Sequence, residues 1–204
     1  MVSSRTDVLL TTARLTMAPL SEHDVDAFTE YRQDPDVARY QSWGTDYSRA
    51  DAERLVDDQR DGQVPSPGNW LQLAVRETSS GRLLGDLALH RLDDQPDTFE
   101  VGVTLARSSQ GRGIASEALS ALLCFLFDHE HAHRVVAFCD SRNTPVARLL
   151  ARAGFRQESR QVDADWFKGE WTTLDGHALL ASERAAPRPP LSDELTFPRS
   201  GPVG

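Results

Sequence analysis

The chain of 204 residues carries 31 acidic against 22 basic side chains, a formal charge of −9 at pH 7. This imbalance argues against a general affinity for nucleic acid, because phosphate binding needs an excess of Lys and Arg. No apolar run approaches the ~20 residues that span a bilayer, and the N-terminus lacks the pattern of a signal peptide. The sequence therefore predicts a cytoplasmic protein without a membrane anchor.

The first half of the chain predicts one strand and two helices. These are a strand over 8–18, a helix that begins at Ser21 and ends near Asp34, and a helix from Ser48 to about Gln59. Residues 21–61 hold twelve acids against five arginines. Such a stretch can steer a cationic substrate, and it is equally typical of solvated helix faces.

The second half predicts strands separated by two helices. The strands are 70–77 and 82–90, joined as a hairpin, then 98–105, 134–140 and two more up to Ala181; the helices begin at Ile114 and Thr144. Within 98–105 the residues alternate, so that Glu100, Gly102 and Thr104 share one face.

The C-terminal end differs in composition from the rest of the chain. Residues 185–204 hold five of the eleven prolines. Such a composition is typical of a segment outside a packed core. The sequence predicts one domain over residues 1–184 and a Pro-rich tail or arm over 185–204.

Two glycines, Gly111 and Gly113, stand directly ahead of the helix that begins at Ile114. A helix start exposes unpaired backbone N–H groups and a partial positive charge, and glycines let an anion approach them closely. The pattern predicts a phosphate site. A dinucleotide fold is disfavoured, because the stretch reads G-x-G-x-x-S and an antiparallel hairpin precedes it.

Residues 110–115, QGRGIA, fit the Q/R-x-x-G-x-G/A signature of the GNAT N-acetyltransferases. Further stretches resemble the branch of this family that acetylates ribosomal-protein N-termini, together with its small-amine relatives: TTARLTMAPL, DPDVARYQSW, GIASEALSALLCFLF and RNTPVARLLARAGF. The resemblance covers about residues 9–182. It implies an α/β fold with a mixed, mostly antiparallel twisted sheet, helices on both faces and a splayed central strand pair.

The resemblance also implies acetyl-coenzyme A as co-substrate, without a metal. Its pyrophosphate would be held by the loop and helix start, at Gln110, Gly111, Arg112, Gly113, Ile114, Ala115 and Ser116. Pantetheine would pair with Val103, Thr104 and Leu105 where their strand splays from 134–140. A backbone N–H near Val103 would point at the thioester oxygen.

Glu100 is the candidate general base, because its small neighbours on the same face leave room for a substrate and the family often has a glutamate here. The alternative is a solvated strand residue. Asn143 matches an asparagine with which this branch holds pantetheine or a catalytic water, although loop asparagines also serve local turns. Arg148 is a further candidate for the cofactor phosphates.

Two positions depart from the family pattern. Val146 stands where the branch often has a serine, and Leu150 where other members have a tyrosine. Both family residues can protonate the departing thiolate. The general acid is therefore unassigned. The thiolate would take its proton from solvent, or it would leave without a dedicated acid.

Other candidate residues have weaker signals. His129 to His133 spell H-E-x-x-H, but a strand must begin at Arg134, so the helix that a zinc protease needs ends too early. His90 is a second candidate proton carrier, and Asp175 and His177 are open candidates for orienting the amine. Cys124 and Cys139 suit packed thiols, and Trp43, Tyr47 and Trp70 suit either an acceptor pocket or the core.

The hypothesis is acetyl transfer to a primary amine by direct attack. The acceptor is a protein N-terminus or a small cationic amine, and the sequence does not decide between them. The alternative is a non-catalytic acyl-coenzyme A-binding module of the same fold. A homodimer is left open, as is the role of the tail.

Overall fold

The computed structural model describes residues 8–59 and 63–184. Its strands are β1 (Leu10–Thr11), β2 (Leu15–Pro19), β3 (Trp70–Glu77), β4 (Leu83–Arg91), β5 (Thr98–Leu105), β6 (Arg134–Asp140), β7 (Arg156–Phe167) and β8 (Glu170–Leu180). Its α-helices are α1 (Val25–Arg32), α2 (Pro35–Ala38), α3 (Arg49–Asp58), α4 (Ile114–Asp128) and α5 (Thr144–Arg152).

The described strands form one sheet in the order β1, β2, β3, β4, β5, β6, β8, β7. Neighbours are antiparallel throughout this sheet except for β5 and β6, which are parallel. A parallel pair needs a crossover connection, and α4 supplies it. The predicted mixed, mostly antiparallel sheet is confirmed.

Helices cover both faces of the sheet, as predicted. On one face, Leu73, Leu87 and Val101 belong to the core that includes the buried side of α4. On the other face, Ala74 packs with Phe28 and other buried residues of α1 and α3. Because side chains alternate along a strand, the second face also carries His90 and Glu100.

Local capping explains where the helices begin. Ser48 and Asp51 form a reciprocal capping box at the start of α3, in which the Ser48 N–H donates to Asp51 Oδ2 at 2.8 Å. Asn143 and Pro145 begin α5, and Gly154 follows it in a left-handed conformation with φ of 95°. These boundaries agree with the sequence patterns.

Two predicted elements differ from the structure. The strand expected over 8–18 is interrupted by a turn in which the Thr12 N–H donates to the Leu15 carbonyl, so two short strands result. Asp34 does not simply end a helix: its carboxylate accepts from the Asp36 N–H at 2.9 Å and caps α2, which was not predicted.

No helix within the described residues is both long and apolar enough to cross a membrane. The predicted tail, residues 185–204, lies outside the described residues. The division at residue 184 therefore stays a prediction.

The central feature of the sheet is the early end of the β5–β6 pairing. The two strands pair from Thr98 and Arg134 to Glu100 and Val136, and no further pair follows although both strands continue. Beyond this point, residues 101–105 of β5 form no strand pairs with residues 137–140 of β6. The predicted split between the two strands is present.

Candidate active site

The start of α4 is built from backbone in conformations that glycine favours. Gly111 and Gly113 have φ of 71° and 78°, in the left-handed region, and Gly113 is the N-cap residue of α4. The N–H groups of Ile114, Ala115 and Ser116 belong to the first helical turn, where no preceding carbonyl is in register to accept them. The loop thus presents several donors and the positive end of the helix dipole.

This glycine loop is braced from the opposite side by Arg14, a residue that the sequence analysis missed. Arg14 Nε donates to Glu117 Oε2 at 2.7 Å, and Arg14 Nη1 donates to the Arg112 carbonyl at 3.3 Å. At the other end of the loop, Gln110 Nε2 donates to the Leu105 carbonyl at 3.1 Å. The loop is therefore fixed before any ligand binds.

A cleft of about 520 Å³ connects the glycine loop with the split between β5 and β6. The predicted residues that line it are Val103, Thr104, Leu105, Gln110, Gly111, Gly113, Ile114, Ala115, Ser116, Asn143 and Arg148. The residue types suit a ligand with an anionic end and a long, neutral arm, because the donors lie at one end and apolar side chains at the other.

Arg112 is the exception among the predicted residues. It lines a separate cavity of about 280 Å³ together with Arg14 and Glu77, on the other side of the loop. Its carbonyl is engaged by Arg14. The structure therefore does not bring the Arg112 side chain to the cleft.

Asn143 has a local role and a free donor. Its Oδ1 accepts from the Val146 N–H at 3.4 Å and so caps α5. No described residue accepts a hydrogen bond from its Nδ2, and the residue lines the cleft. The same side chain can therefore cap the helix and donate into the cleft.

Glu100 lies just beyond the cleft, at the last pair before the split. On the neighbouring strand, His90 Nδ1 is 3.6 Å from Glu100 Oε2, and the His90 ring stacks on Trp70 with centroids 4.4 Å apart. Burial raises the pKa of the Glu100 carboxyl above its usual value, although the adjacent His90 acts to lower it. A carboxylate with a raised pKa is a better proton acceptor than an exposed one.

The sheet surface beside Glu100 is flat and lined by small residues. Gly102 and Ala88 follow on the same face of β5 and β4, and a Cβ atom on Gly102 would approach that of Ala88 to 3.3 Å. Trp70 and Phe138 border this floor on the same face, and each is 46 % exposed. This floor has room for a substrate between two aromatic walls.

The cleft also has a wall formed around α2, the helix that the sequence did not predict. Residues on and after α2 line it: Asp36, Val37, Tyr40 and Gln41. Lys168, at the tip of the β7–β8 hairpin, donates to the carbonyls of Ala38 and Trp43 at 2.6 and 2.7 Å. The signal that could have revealed this wall is the Asp-Pro pair, which begins a helix as readily as it ends one.

A buried polar cluster lies under the same wall. Asp86, on β4, is 1 % exposed and accepts a hydrogen bond from the Tyr31 hydroxyl. Arg32 Nη2 is 3.5 Å from Asp86 Oδ2, and the guanidinium lies 3.6 Å from the Trp43 ring. Burial raises the pKa of Asp86 despite the nearby arginine. An acid within the apolar run LLGDLAL was a signal for this cluster.

Asp175 and His177 lie on the opposite face of the sheet from Glu100. Register shows this, because Glu100 is paired with Val136 and Val136 with Ala178, so the odd-numbered residues of β8 point the other way. Asp175 accepts two hydrogen bonds from Arg160, at 2.8 and 2.7 Å, and these bonds lower its pKa. Neither residue is positioned to orient an amine at Glu100.

The histidine-rich stretch begins where α4 ends. The last residue of α4 is Asp128, and His131 has φ of 55°, so the two outer histidines do not share a helix face. Among the described residues no group of three metal-binding side chains is found. Burial raises the pKa of the Cys139 thiol to about 11, which keeps it protonated at neutral pH.

Five acids of the stretch 21–61 form ion pairs with arginines. Arg76 pairs with Asp24, Arg49 with Asp26 and Glu53, Arg54 with Asp51, and Arg107 with Asp36. These contacts favour the interpretation as paired helix surfaces over that of a free acidic field.

The fold is similar to those of solved acetyltransferases. A solved acetyltransferase (GNAT family) from Bacillus anthracis is 25 % identical, with a TM-score of 0.77, over 86 % of this chain and 100 % of that chain. Spermidine N-acetyltransferase from Vibrio cholerae, solved with CoA and spermine, has a TM-score of 0.73 at 17 % identity, over 84 % and 98 % of the two chains.

Sequence comparison gives the same result. The [ribosomal protein uS5]-alanine N-acetyltransferase of Escherichia coli is 32 % identical over 81 residues, 40 % of each chain. The model of the acetyltransferase (GNAT) domain matches residues 14–156, about 70 % of the chain. The chain thus belongs to the GNAT acetyltransferase family, as the glycine signature predicted.

Proposed function

We propose that this protein transfers the acetyl group of acetyl-coenzyme A to a primary amine by direct attack, with Glu100 as the general base. The observation that carries the proposal is the course of the cleft. The cleft runs from the glycine-flanked start of α4 along the part of β5 that does not pair with β6. It leads toward the carboxyl of Glu100, whose pKa is raised by burial.

The residues at the start of α4 fit the phosphates of the coenzyme. Backbone N–H groups from Gly111 to Ser116 bind anions without the desolvation cost of a buried cation, and the helix dipole adds to the attraction. Arg148 and Arg152 line the same cleft, and no ion pair of either is found among the described residues. Both guanidinium groups are therefore available to the phosphates.

The free edge of β5 fits the pantetheine arm. Its amides can pair with backbone groups from Val103 to Leu105 that have no partner on β6, apart from the Leu105 carbonyl, which accepts from Gln110 Nε2. When bound, the coenzyme supplies an activated acetyl thioester. A backbone N–H near Val103 then serves as the donor that stabilises negative charge on the acetyl oxygen.

Glu100 takes the proton of the attacking amine. It lies three residues before Val103, about 10 Å along an extended strand, so a water molecule or a long amine bridges the distance. The carboxyl accepts a proton only when ionised, and its raised pKa strengthens it as a base in that form. Activity should therefore fall as the pH drops through this pKa.

The departing thiolate receives no proton from positions 146 and 150, where other family members have a serine or a tyrosine. Val146 is apolar and Leu150 is buried, so neither can act as an acid. Tyr40 is the cleft-lining residue with a phenol hydroxyl. The thiol of coenzyme A leaves readily as a thiolate, so release to solvent suffices and a dedicated acid has only a modest effect.

The acceptor classes are separated by one screen. Wild type and Glu100→Gln are incubated with acetyl-coenzyme A and either polyamines and aminoglycosides or peptides with free N-termini, and free thiol is measured. We expect release with one class, lost in Glu100→Gln. A wild type that binds the coenzyme but releases no thiol with any amine supports instead the non-catalytic binding module.

A further inference from the structure

His90 occupies an unusual position for a histidine. Its Nδ1 atom is buried and has no hydrogen-bond partner among the described residues, yet lies 3.6 Å from Glu100 Oε2. This distance is slightly too long for a hydrogen bond and closes with a small change of side-chain angle. A buried polar atom without a partner destabilises the fold, so a functional reason for the histidine is expected.

Trp70 fixes the orientation of the His90 ring. The two rings are stacked with an interplanar angle of 9°, and Trp70, His90, Glu100 and Val136 form one row across four strands. A stacked ring cannot flip freely, so Nδ1 stays directed at the carboxylate while the opposite edge, with Nε2, lies away from it. The side chain is still 17 % exposed, which leaves a route to water.

Few charged groups compete for His90 within the described residues. The facing residues on β3 are Trp70 and Gln72, which do not titrate, and the facing residue on β5 is Glu100. On β4 itself, the next acid on this face is Asp86, which is separated by Ala88 and engaged by Tyr31 and Arg32. Glu100 is therefore the group to which His90 responds.

We propose that His90 is a positioning residue for Glu100 that holds the carboxylate toward the acceptor and passes its proton to solvent. The inference rests on the proposed function, in which Glu100 is the base. The amine loses an N–H proton to Glu100, and the new O–H proton moves from Oε2 to Nδ1 of a neutral His90. The Nε2 proton then leaves to water. After the product has left, the Nδ1 proton returns to Glu100 and passes from its carboxyl to water in the cleft, while Nε2 takes up a proton from water, which restores the first tautomer.

Three variants test the role of the imidazole. His90→Ala removes both nitrogens, whereas His90→Asn keeps an amide nitrogen close to the position of Nδ1 but does not titrate. His23→Asn is the matched control, because His23 is exposed in the short 3₁₀ helix Glu22–Asp24 that precedes α1. Steady-state kcat and KM are measured by thiol release between pH 5 and 9, together with coenzyme A affinity and the melting temperature.

We expect His90→Ala to lower kcat about tenfold while the Kd for coenzyme A stays unchanged. Because His90 lowers the pKa of Glu100, its removal should move the acidic limb of kcat/KM to higher pH. His90→Asn should restore part of kcat, and His23→Asn should match wild type. The inference would be overturned if His90→Ala kept the wild-type kcat and the wild-type acidic limb of kcat/KM. It would also be overturned if the affinity for coenzyme A fell by the same factor as kcat.

A second readout does not depend on turnover. The pKa of Glu100 can be measured by NMR of carbon-13-labelled carboxyl groups in wild type and His90→Asn. A higher pKa in the variant supports the coupling, and an unchanged value contradicts it. A wild type inactive toward every amine refutes the proposed function, whereas an active wild type with an unaffected His90 variant refutes this inference alone.

Discussion

At the carboxyl end of β5 the site consists of backbone, whereas at the amino end it consists of side chains. The glycine loop and the start of α4 line the cleft with Gly111 and Gly113 and with the first helical turn, whose backbone N–H groups have no helical acceptor. Glu100, His90 and Trp70 come from three strands and meet only through the register of the sheet. Under the proposed function, the first end binds the coenzyme, which is common to the family, and the second end differs with the acceptor.

The largest effect is expected from Asp86→Ala, which removes the acid of the buried polar cluster. Arg32 would then be left buried without its counter-ion, and the Tyr31 hydroxyl without its acceptor. Breaking a buried ion pair in this way costs about 3–5 kcal/mol. Urea denaturation measures the loss, and Asp94→Ala in the exposed loop is the control. A loss below about 1 kcal/mol would show that the cluster contributes little.

Glu100→Gln is the next change, and it acts on chemistry alone. Loss of the base should lower kcat about 100-fold, or about 2.7 kcal/mol in the barrier, with the Kd for coenzyme A unchanged. Glu30→Gln on the exposed side of α1 is the matched control.

Stability gives Glu100→Gln a second, independent readout. Because burial raises the pKa of Glu100 in the folded state, ionisation destabilises the fold as pH rises through this pKa. Gln removes that charge, so at pH 7 the urea midpoint should not fall. A lower midpoint with unchanged kcat would assign Glu100 a structural role.

The backbone end is tested by a pair of glycine substitutions with equal strain. Gly111 and Gly81 have φ of 71° and 72°, and a Cβ atom at either position meets nothing within 4 Å. Gly111→Ala and Gly81→Ala should therefore lower the melting temperature alike. Only Gly111→Ala should also weaken coenzyme A binding, by about tenfold, because the added methyl group stands where phosphate approaches. Equal Kd values in calorimetry would place the phosphates elsewhere.

The same difference explains what the sequence could predict. Gly111 and Gly113 precede an apolar helical pattern within a few residues, so the candidate phosphate site could be predicted from a local motif. The strand over 98–105 alternates cleanly, and its ends agree with β5. Capping residues such as Ser48 likewise predicted α3 because their hydrogen bonds are formed within three residues.

The rest depends on contacts between distant segments. Arg14 braces Arg112 across 98 positions of the chain, and Lys168 reaches Ala38 across 130. His90 was placed beside the strand of Glu100, but the free Nδ1 and the stack on Trp70 follow from register and rotamers. Asp175 was a candidate for orienting the amine, yet the alternation of β8 turns it to the opposite face. No local pattern contains this information.

The smallest expected effect concerns Asn143, whose side chain both caps a helix and lines the cleft. Its Oδ1 caps α5, and its Nδ2 has no described acceptor. Asn143→Ala loses both groups and should cost about 1 kcal/mol in the free energy of unfolding. Asn143→Asp keeps the capping oxygen and removes the donor, so stability should be retained while kcat/KM falls severalfold, as in Asn143→Ala. Urea denaturation and thiol release on both variants separate the roles. If Asn143→Asp matches wild type in kcat/KM, the asparagine is a helix cap alone and its Nδ2 donates to no part of the substrate.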